Sequence, residues 1–257
     1  LALPGVEKHD LASLRLCSSG GAPLPVELAA AFERLVPSGL TEGWGMTETS
    51  PVGTFSPRSM RRRPGSCGMP VPGMDLKIVS IDDPSRDVPI GERGEICVKG
   101  PNVMKAYWMN PGATAASLTP DGYFRTGDGG YMDADGYVYI VDRLKDMILC
   151  GGYNVYPRNI EEAIYEHPAV HEVIVIGVHD AYRGQAPKAF VSLKPGAAAF
   201  TLDELKAFLE ERLGKHEMVR HLEIRTELPR TPVGKLSKKE LYAEEAAKLA
   251  ASEKERA

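Results

Sequence analysis

Paired cysteines are missing from this sequence. Its four cysteines, Cys17, Cys67, Cys97 and Cys150, lie far apart, with no Cys-x-x-Cys pair and no Cys/His cluster at zinc spacing. That excludes a disulfide-rich scaffold or a zinc module and fits a reduced, cytoplasmic protein. No apolar run is long enough to span a bilayer, so no transmembrane segment is expected. The N-terminal stretch 1–5 lacks a basic region followed by an apolar core, so it does not read as a secretory signal. Neither sign of charge dominates: 31 Lys and Arg face 35 Asp and Glu, for a net charge of −4. Bulk electrostatics therefore give no reason to expect a nucleic-acid partner. The short run Arg61-Arg62-Arg63 beside Pro64-Gly65 reads as a solvated loop. No internal repeat is present.

What the sequence does contain is an ordinary globular mixture. With 257 residues, 43% of them hydrophobic, there is material for one large or two medium domains. The stretch 14–19 reads as a short buried strand, followed by a Gly20-Gly21-Ala22-Pro23 turn into a helix. Leu28, Phe32 and Leu35 recur there at helical spacing, and 37–39 ends it. Strand, glycine turn and helix form an α/β pattern.

From Gly65 to Val141 the period changes to two. The segments 75–79, 95–99 and 137–141 alternate or run apolar between dense Gly and Pro, which predicts a small antiparallel barrel-like unit. The charged stretch Asp142-Arg143-Leu144-Lys145-Asp146 follows and suits either a solvated hinge between two domains or an ordinary surface turn. Beyond it the pattern is α+β. A helix starts near Pro157 with Ile160 and Ile164 inward, and strands are expected at 173–178, 189–194 and 222–225. Thr201-Leu202-Asp203-Glu204 is a capping-box signature, and Leu205, Phe208, Leu209 and Leu213 form one apolar face that Gly214 should end. The tail from Glu240 reads as a frayed polar helix.

Several segments concentrate groups able to do chemistry. Gly43-Trp44-Gly45-Met46-Thr47-Glu48-Thr49 combines glycines that let a backbone approach a nucleotide, a flat indole face for a purine, a hydroxyl for a phosphate oxygen and a carboxylate suited to Mg²⁺. The competing reading is a hairpin turn around a core tryptophan. Asp128, closing Thr126-Gly127-Asp128 after what reads as a tight turn, can accept two ribose hydroxyls at once or merely cap that turn. Lys235 ends a Pro-x-x-x-x-Gly-Lys segment on a Pro- and Gly-rich loop, where a mobile ammonium group is a compact point charge.

Taken in order, 43–49, 123–128, 142–157 and 229–235 resemble the adenylate-forming superfamily: acyl-CoA synthetases, luciferases and peptide-synthetase adenylation domains. The likeness is greatest to long-chain fatty acid–CoA ligases and runs from Leu16 to about Leu241. It implies that residues 1–142 are the C-terminal portion of an AMP-binding domain (the end of an α/β subdomain plus the barrel-like unit). Residues 143–257 would be a mobile, small α+β C-terminal domain. Because the sequence starts without Met and without a lysine-containing phosphate loop, a C-terminal portion of a longer enzyme is expected, one that could be a silent scaffold alone.

The resemblance also implies roles. Gly21, Ala22 and Pro23 would flank adenine. Gly43, Trp44, Gly45, Met46 and Thr47 would line the ATP/AMP site, with Trp44 where Tyr is usual, and Glu48 would hold Mg²⁺. Asp128 and Arg143 would bind ribose. Lys145 would be the hinge, Gly151 and Gly152 would line the coenzyme A tunnel, and Lys235 would be catalytic. Cys150 reads as packing. The resemblance implies that His179 and Gln185 lie on a surface loop of the C-terminal domain, with no role assigned to either. The implied substrates are ATP, coenzyme A and a fatty acid or another carboxylic acid, with malonate-type and aromatic acids as alternatives. Lys235 would also be a target for a lysine acetyltransferase and deacetylase, since acetylation removes its charge. A lipid substrate would bring a cytoplasmic enzyme to membranes. A peptide-synthetase adenylation domain is disfavoured because no carrier-protein Ser motif follows Lys235, and nothing indicates luciferase chemistry.

Overall fold

A computed structural model of the chain describes residues 3–22, 24–57, 63–232 and 234–256. The chain divides into two compact units, Leu1–Leu144 and Lys145–Ala257.

In the first unit, β1 (Ser18–Ser19) and β2 (Thr41–Trp44) pair in parallel on either side of α1 (Val26–Leu35), giving the α/β step. The antiparallel strands β3 (Thr54–Phe55) and β4 (Met69–Pro70) extend this small sheet in the order β1-β2-β3-β4. The expectation of a buried strand at 14–19 is not met. Only two residues pair, and Leu14 and Leu16 are exposed. Helix α1 buries Ala29, while Leu28 of the expected apolar face is exposed. The helix ends because Val36, which precedes Pro37, is extended, as the proline ring demands of its predecessor.

The barrel-like unit takes the form of an antiparallel meander. Strands β5 (Asp75–Val79), β6 (Gly94–Lys99), β7 (Phe124–Met132) and β8 (Val138–Arg143) pair in sequence order, with the short helix α2 (Pro111–Ala116) between β6 and β7. Met74, Leu76, Ile78, Ile96, Val98, Phe124 and Val138 form its core, with Trp44 and Met46 packed at the margin. Cys97 is fully buried, and burial pushes its thiol up to about 12. Trp108, by contrast, is 91% exposed.

The second unit is built around β12 (Gly184–Leu193). It pairs antiparallel along one edge with β11 (Val170–Asp180). Along the other edge it meets β9 (Ile148–Cys150) at Gly184 and then runs parallel to β13 (His221–Arg225). Strand β10 (Tyr153–Val155) completes a hairpin with β9. Helices α3 (Pro157–Tyr165) and α4 (Leu202–Leu209) belong to the core on one face, where Ile148, Ile160, Ile164, Val173, Val175, Leu205 and Leu209 are buried. On the other, Ile174, Ile176, Val178, Phe190, Leu228 and Leu241 gather beneath α5 (Lys239–Arg256). Coverage of both faces explains why β11 reads as a continuous apolar run.

Three expectations are corrected here. Helix α4 keeps its Thr201–Glu204 capping box but stops at Leu209, short of Gly214. The Glu210-Glu211 pair that follows places negative charge at the negative end of the helix dipole. His179 and Gln185 face each other across the β11–β12 hairpin rather than lying on a loop, and Gln185 Oε1 accepts from the Leu149 amide. The tail is not frayed at its start. Leu241 is fully buried, Arg225 pairs with Glu244, and Lys188 pairs with Glu245. No helix among the described residues is long and apolar enough to cross a membrane.

Leu241→Ala should therefore destabilise the second unit by about 2–5 kcal/mol, the usual cost of emptying a core leucine site. Urea unfolding checks this. An unchanged midpoint would mean that α5 is not docked.

Candidate functional site

The end of β2 and the middle of β7 come together through their side chains. Chain crowding fixes the first of these. A Cβ on Gly45 would stand 1.8 Å from the Pro51 carbonyl oxygen, so only glycine permits the turn after Trp44. The indole is half-buried, with Gly53 packed bare against its six-membered ring. Its Nε1 donates to Asp128 Oδ2 at 2.8 Å. Arg143 sits directly opposite Asp128 across the β7–β8 ladder, and its Nε lies 2.7 Å from Oδ1. Each carboxylate oxygen of the buried Asp128 thus has one donor and lone-pair capacity for another.

Thr126-Gly127-Asp128 is a bulge inside β7, not a turn. Glu95 pairs with Gly129 and Cys97 with Arg125, so Ile96 alone faces three residues of β7. Gly127 takes φ of +70°, the left-handed conformation that made the segment look like a turn. Burial raises the Asp128 pKa above its ordinary value. Arg143 and the Trp44 N–H oppose that rise but do not cancel it.

The neighbouring turn Thr47–Thr49 presents Thr47 to solvent and holds Glu48 part-exposed. Two groups absent from the sequence reading secure it. The Tyr107 hydroxyl donates to Glu48 Oε1 at 2.9 Å, and Asn102 Nδ2 donates to the carbonyls of Thr49 and Val52. Burial first, and then the Glu48 carboxylate, raise the Tyr107 pKa. Among the described residues no three His, Cys, Asp or Glu side chains cluster as a metal cage. One carboxylate with free acceptor capacity still suits Mg²⁺, which takes its remaining oxygens from phosphate and water. Glu48 fits that donor set.

The loop after β1 runs beside the same strand. A Cβ on Gly20 would lie 3.2 Å from the Gly43 carbonyl oxygen, and Gly21 has φ of +81°. Gly21 and Ala22 are exposed there, and Met46 is partly buried against the meander core. Pro23 lies outside the described residues, as do Arg61, Arg62 and Val233.

In the second unit, Lys145 is exposed on the helical turn Leu144–Asp146. Gly151 and Gly152 form the two-residue turn of the β9–β10 hairpin, both at positive φ, +59° and +84°. This is the backbone that type I′ turns require. Lys235 is exposed on a loop closed by the Arg230–Leu236 bridge and by the Thr231 amide donating to the Lys235 carbonyl at 2.7 Å. Among the described residues no carboxylate pairs with its ammonium group, and no hydrogen bond joins it to Gly151 or Gly152. Asp128, by contrast, is in direct contact with both Trp44 and Arg143.

A family model described as AMP-binding enzyme matches residues 2–108, and one described as AMP-binding enzyme C-terminal domain matches 159–235. The sequence is 35% identical to 4-coumarate–CoA ligase 1 of Glycine max, over 96% of this chain and 85% of that protein. The chain belongs to the AMP-binding, adenylate-forming enzyme family. It is also 48% identical to a long-chain-fatty-acid–CoA ligase of Bacillus subtilis (strain 168), over 94% of this chain but 43% of that enzyme. The chain thus spans about two fifths of that relative's length. Among solved structures, the anthranilate CoA ligase AuaEII in complex with anthranoyl-AMP matches with a TM-score of 0.86 and 35% identity, covering 98% of this chain and 48% of that one. In this AMP-binding fold the structure joins an aromatic plane, a buried carboxylate and a guanidinium in one place.

The raised pKa of Asp128 carries a sign. The folded chain holds that proton more tightly than the unfolded chain, so this group favours the fold at low pH, and the contribution is lost as pH rises through the folded value. Asp128→Asn removes the titration. The Tm of the native protein should therefore rise relative to that of the variant as pH is lowered from neutral into the acid range. A difference that stays flat, or that moves in the variant's favour on acidification in thermal melts, would contradict the burial assigned to this carboxylate.

Proposed function

We propose that the protein carrying this chain activates a carboxylic acid as its acyl-adenylate and passes the acyl group to coenzyme A, with a fatty acid as the substrate class. The observation that carries the reading is the Trp44–Asp128–Arg143 cluster beside the Thr47–Glu48 turn. An aromatic plane, an acceptor for two hydroxyls and a phosphate- and cation-facing turn are the separate demands of one nucleotide. The similarity to a long-chain-fatty-acid–CoA ligase supports the acid class. A second reading, an aromatic acid, is favoured by the similarities to 4-coumarate and anthranilate CoA ligases.

In this reading Trp44 offers its ring to adenine, with Gly21 and Ala22 beside it. Asp128 and Arg143 take the ribose hydroxyls. Thr47 donates to the α-phosphate, and Glu48 holds Mg²⁺, which supplies charge neutralisation on the phosphates. Lys235 brings an ammonium group to the α-phosphate as negative charge builds there, a stabilisation worth most in a dry site. Lys145, exposed at the boundary between the two units, is the pivot. A few residues changing φ/ψ suffice to swing a domain. Its rotation withdraws Lys235 and brings the side-chain-free Gly151-Gly152 turn to the route of the thiol. Lys235, exposed and without a carboxylate partner among the described residues, is also open to acetylation, which would remove its charge.

ATP–pyrophosphate exchange by the whole protein, with a panel of fatty, dicarboxylic and aromatic acids, tests the activity and the acid class. Lys235→Ala should lower acyl-adenylate formation about 100–1000-fold. Thioester formation from supplied acyl-adenylate should be nearly unaffected. Equal losses in both half-reactions would overturn the exchange of roles between Lys235 and the glycine turn. No exchange with any acid would overturn the ligase reading.

A further inference from the structure

The bulge that carries Asp128 is held by a side chain whose hydrogen bonds go to Arg125 and Gly127 and not to Trp44, Asp128 or Arg143. Glu95, on β6, is buried, with its side chain 3% exposed. One of its oxygens, Oε2, accepts from Arg125 Nε at 2.9 Å and Nη2 at 2.7 Å. The other, Oε1, accepts from the Gly127 amide at 3.1 Å. Thr126 closes the rest of the bulge: its hydroxyl donates to the Ile96 carbonyl at 2.8 Å and accepts from the Asp128 amide at 3.1 Å.

A bulge removes amides from the ladder, and a buried amide without an acceptor is costly. Here the Gly127 N–H has Glu95 and the Asp128 N–H has Thr126. Arg125, one-third exposed, supplies the counter-charge that makes a buried carboxylate tolerable at this point. The local alternative is a regular ladder, in which β7 slips relative to β6 and successive side chains change faces. Asp128 would then no longer meet both Trp44 and Arg143.

We infer that Glu95 is the positioning residue for the nucleotide carboxylate, fixing the bulge so that both oxygens of Asp128 face the ribose hydroxyls. Arg125 acts with it by holding its carboxylate in place. The inference rests on the proposed reading of Asp128 as the ribose acceptor.

The test is the ratio of affinities for AMP and for 2′,3′-dideoxy-AMP, measured by calorimetry on the full chain. Native protein should prefer AMP by about tenfold or more, the worth of hydrogen bonds to a charged acceptor. Glu95→Ala should bring AMP affinity down to the dideoxy level while dideoxy-AMP affinity stays within about twofold. A purely structural role would weaken both nucleotides together. If Glu95→Ala does not fold, Glu95→Gln takes its place. It keeps the volume and an acceptor for Gly127 but turns an N–H₂ group toward Arg125, and the preference should still fall at least threefold.

An intact preference in the folded glutamate variant, with Asp128→Ala abolishing it, overturns the inference and leaves the ribose reading standing. Native protein that binds AMP no better than dideoxy-AMP, or binds neither, overturns the ribose reading and the inference with it.

Discussion

A buried negative charge governs the first unit. Asp128 stands almost wholly out of water, and its burial works against its own ionisation. Only an arrangement that supplies donors from several directions makes this tolerable. The indole N–H arrives from β2, the guanidinium from β8, and the backbone that aims the carboxylate is shaped by β6. Three other strands are therefore committed to one side chain of β7. The bulge, the glycine at Gly127 and the crowded turn at Gly45 follow from that commitment, since each sets a direction that a regular strand would not give.

The second unit has the opposite character. Its sheet is apolar on both faces and covered by helices, so its stability rests on packing. The groups with chemical potential, Lys145, the Gly151-Gly152 turn and Lys235, are on exposed turns that contribute little to that core. Such a division lets surface loops change without loss of the fold. Charged contacts here serve to seat α5: Lys188 meets Glu245 and Glu223, and Arg225 meets Glu244.

Much of this was legible in the residues alone. Period-two segments at 75–79 and 95–99 became β5 and β6, the inward Ile160 and Ile164 became the buried side of α3, and Thr201 with Glu204 closed a capping box. Where reading failed, the same local chemistry served two structures. A positive-φ glycine before an aspartate marks a turn and equally marks a bulge, so Thr126-Gly127-Asp128 was assigned to the wrong one. Glu95, Asn102 and Tyr107 left no signal, because each acts on residues about thirty or more positions away and sits in an unremarkable strand or loop, and Arg125, although inside the segment 123–128, gave no sign of its partner. The tail misled because one buried leucine, Leu241, is enough to dock a helix whose composition is otherwise polar.

Trp44 gives up its indole N–H to a carboxylate, while the other tryptophan, Trp108, stands almost fully in solvent. The two indoles therefore occupy unlike dielectric surroundings, and light absorbed by them is emitted from two distinguishable settings. Replacing Trp108 would leave a single indole, the one bonded to Asp128. Its emission colour would then report, without any added dye, when something else comes to share that carboxylate.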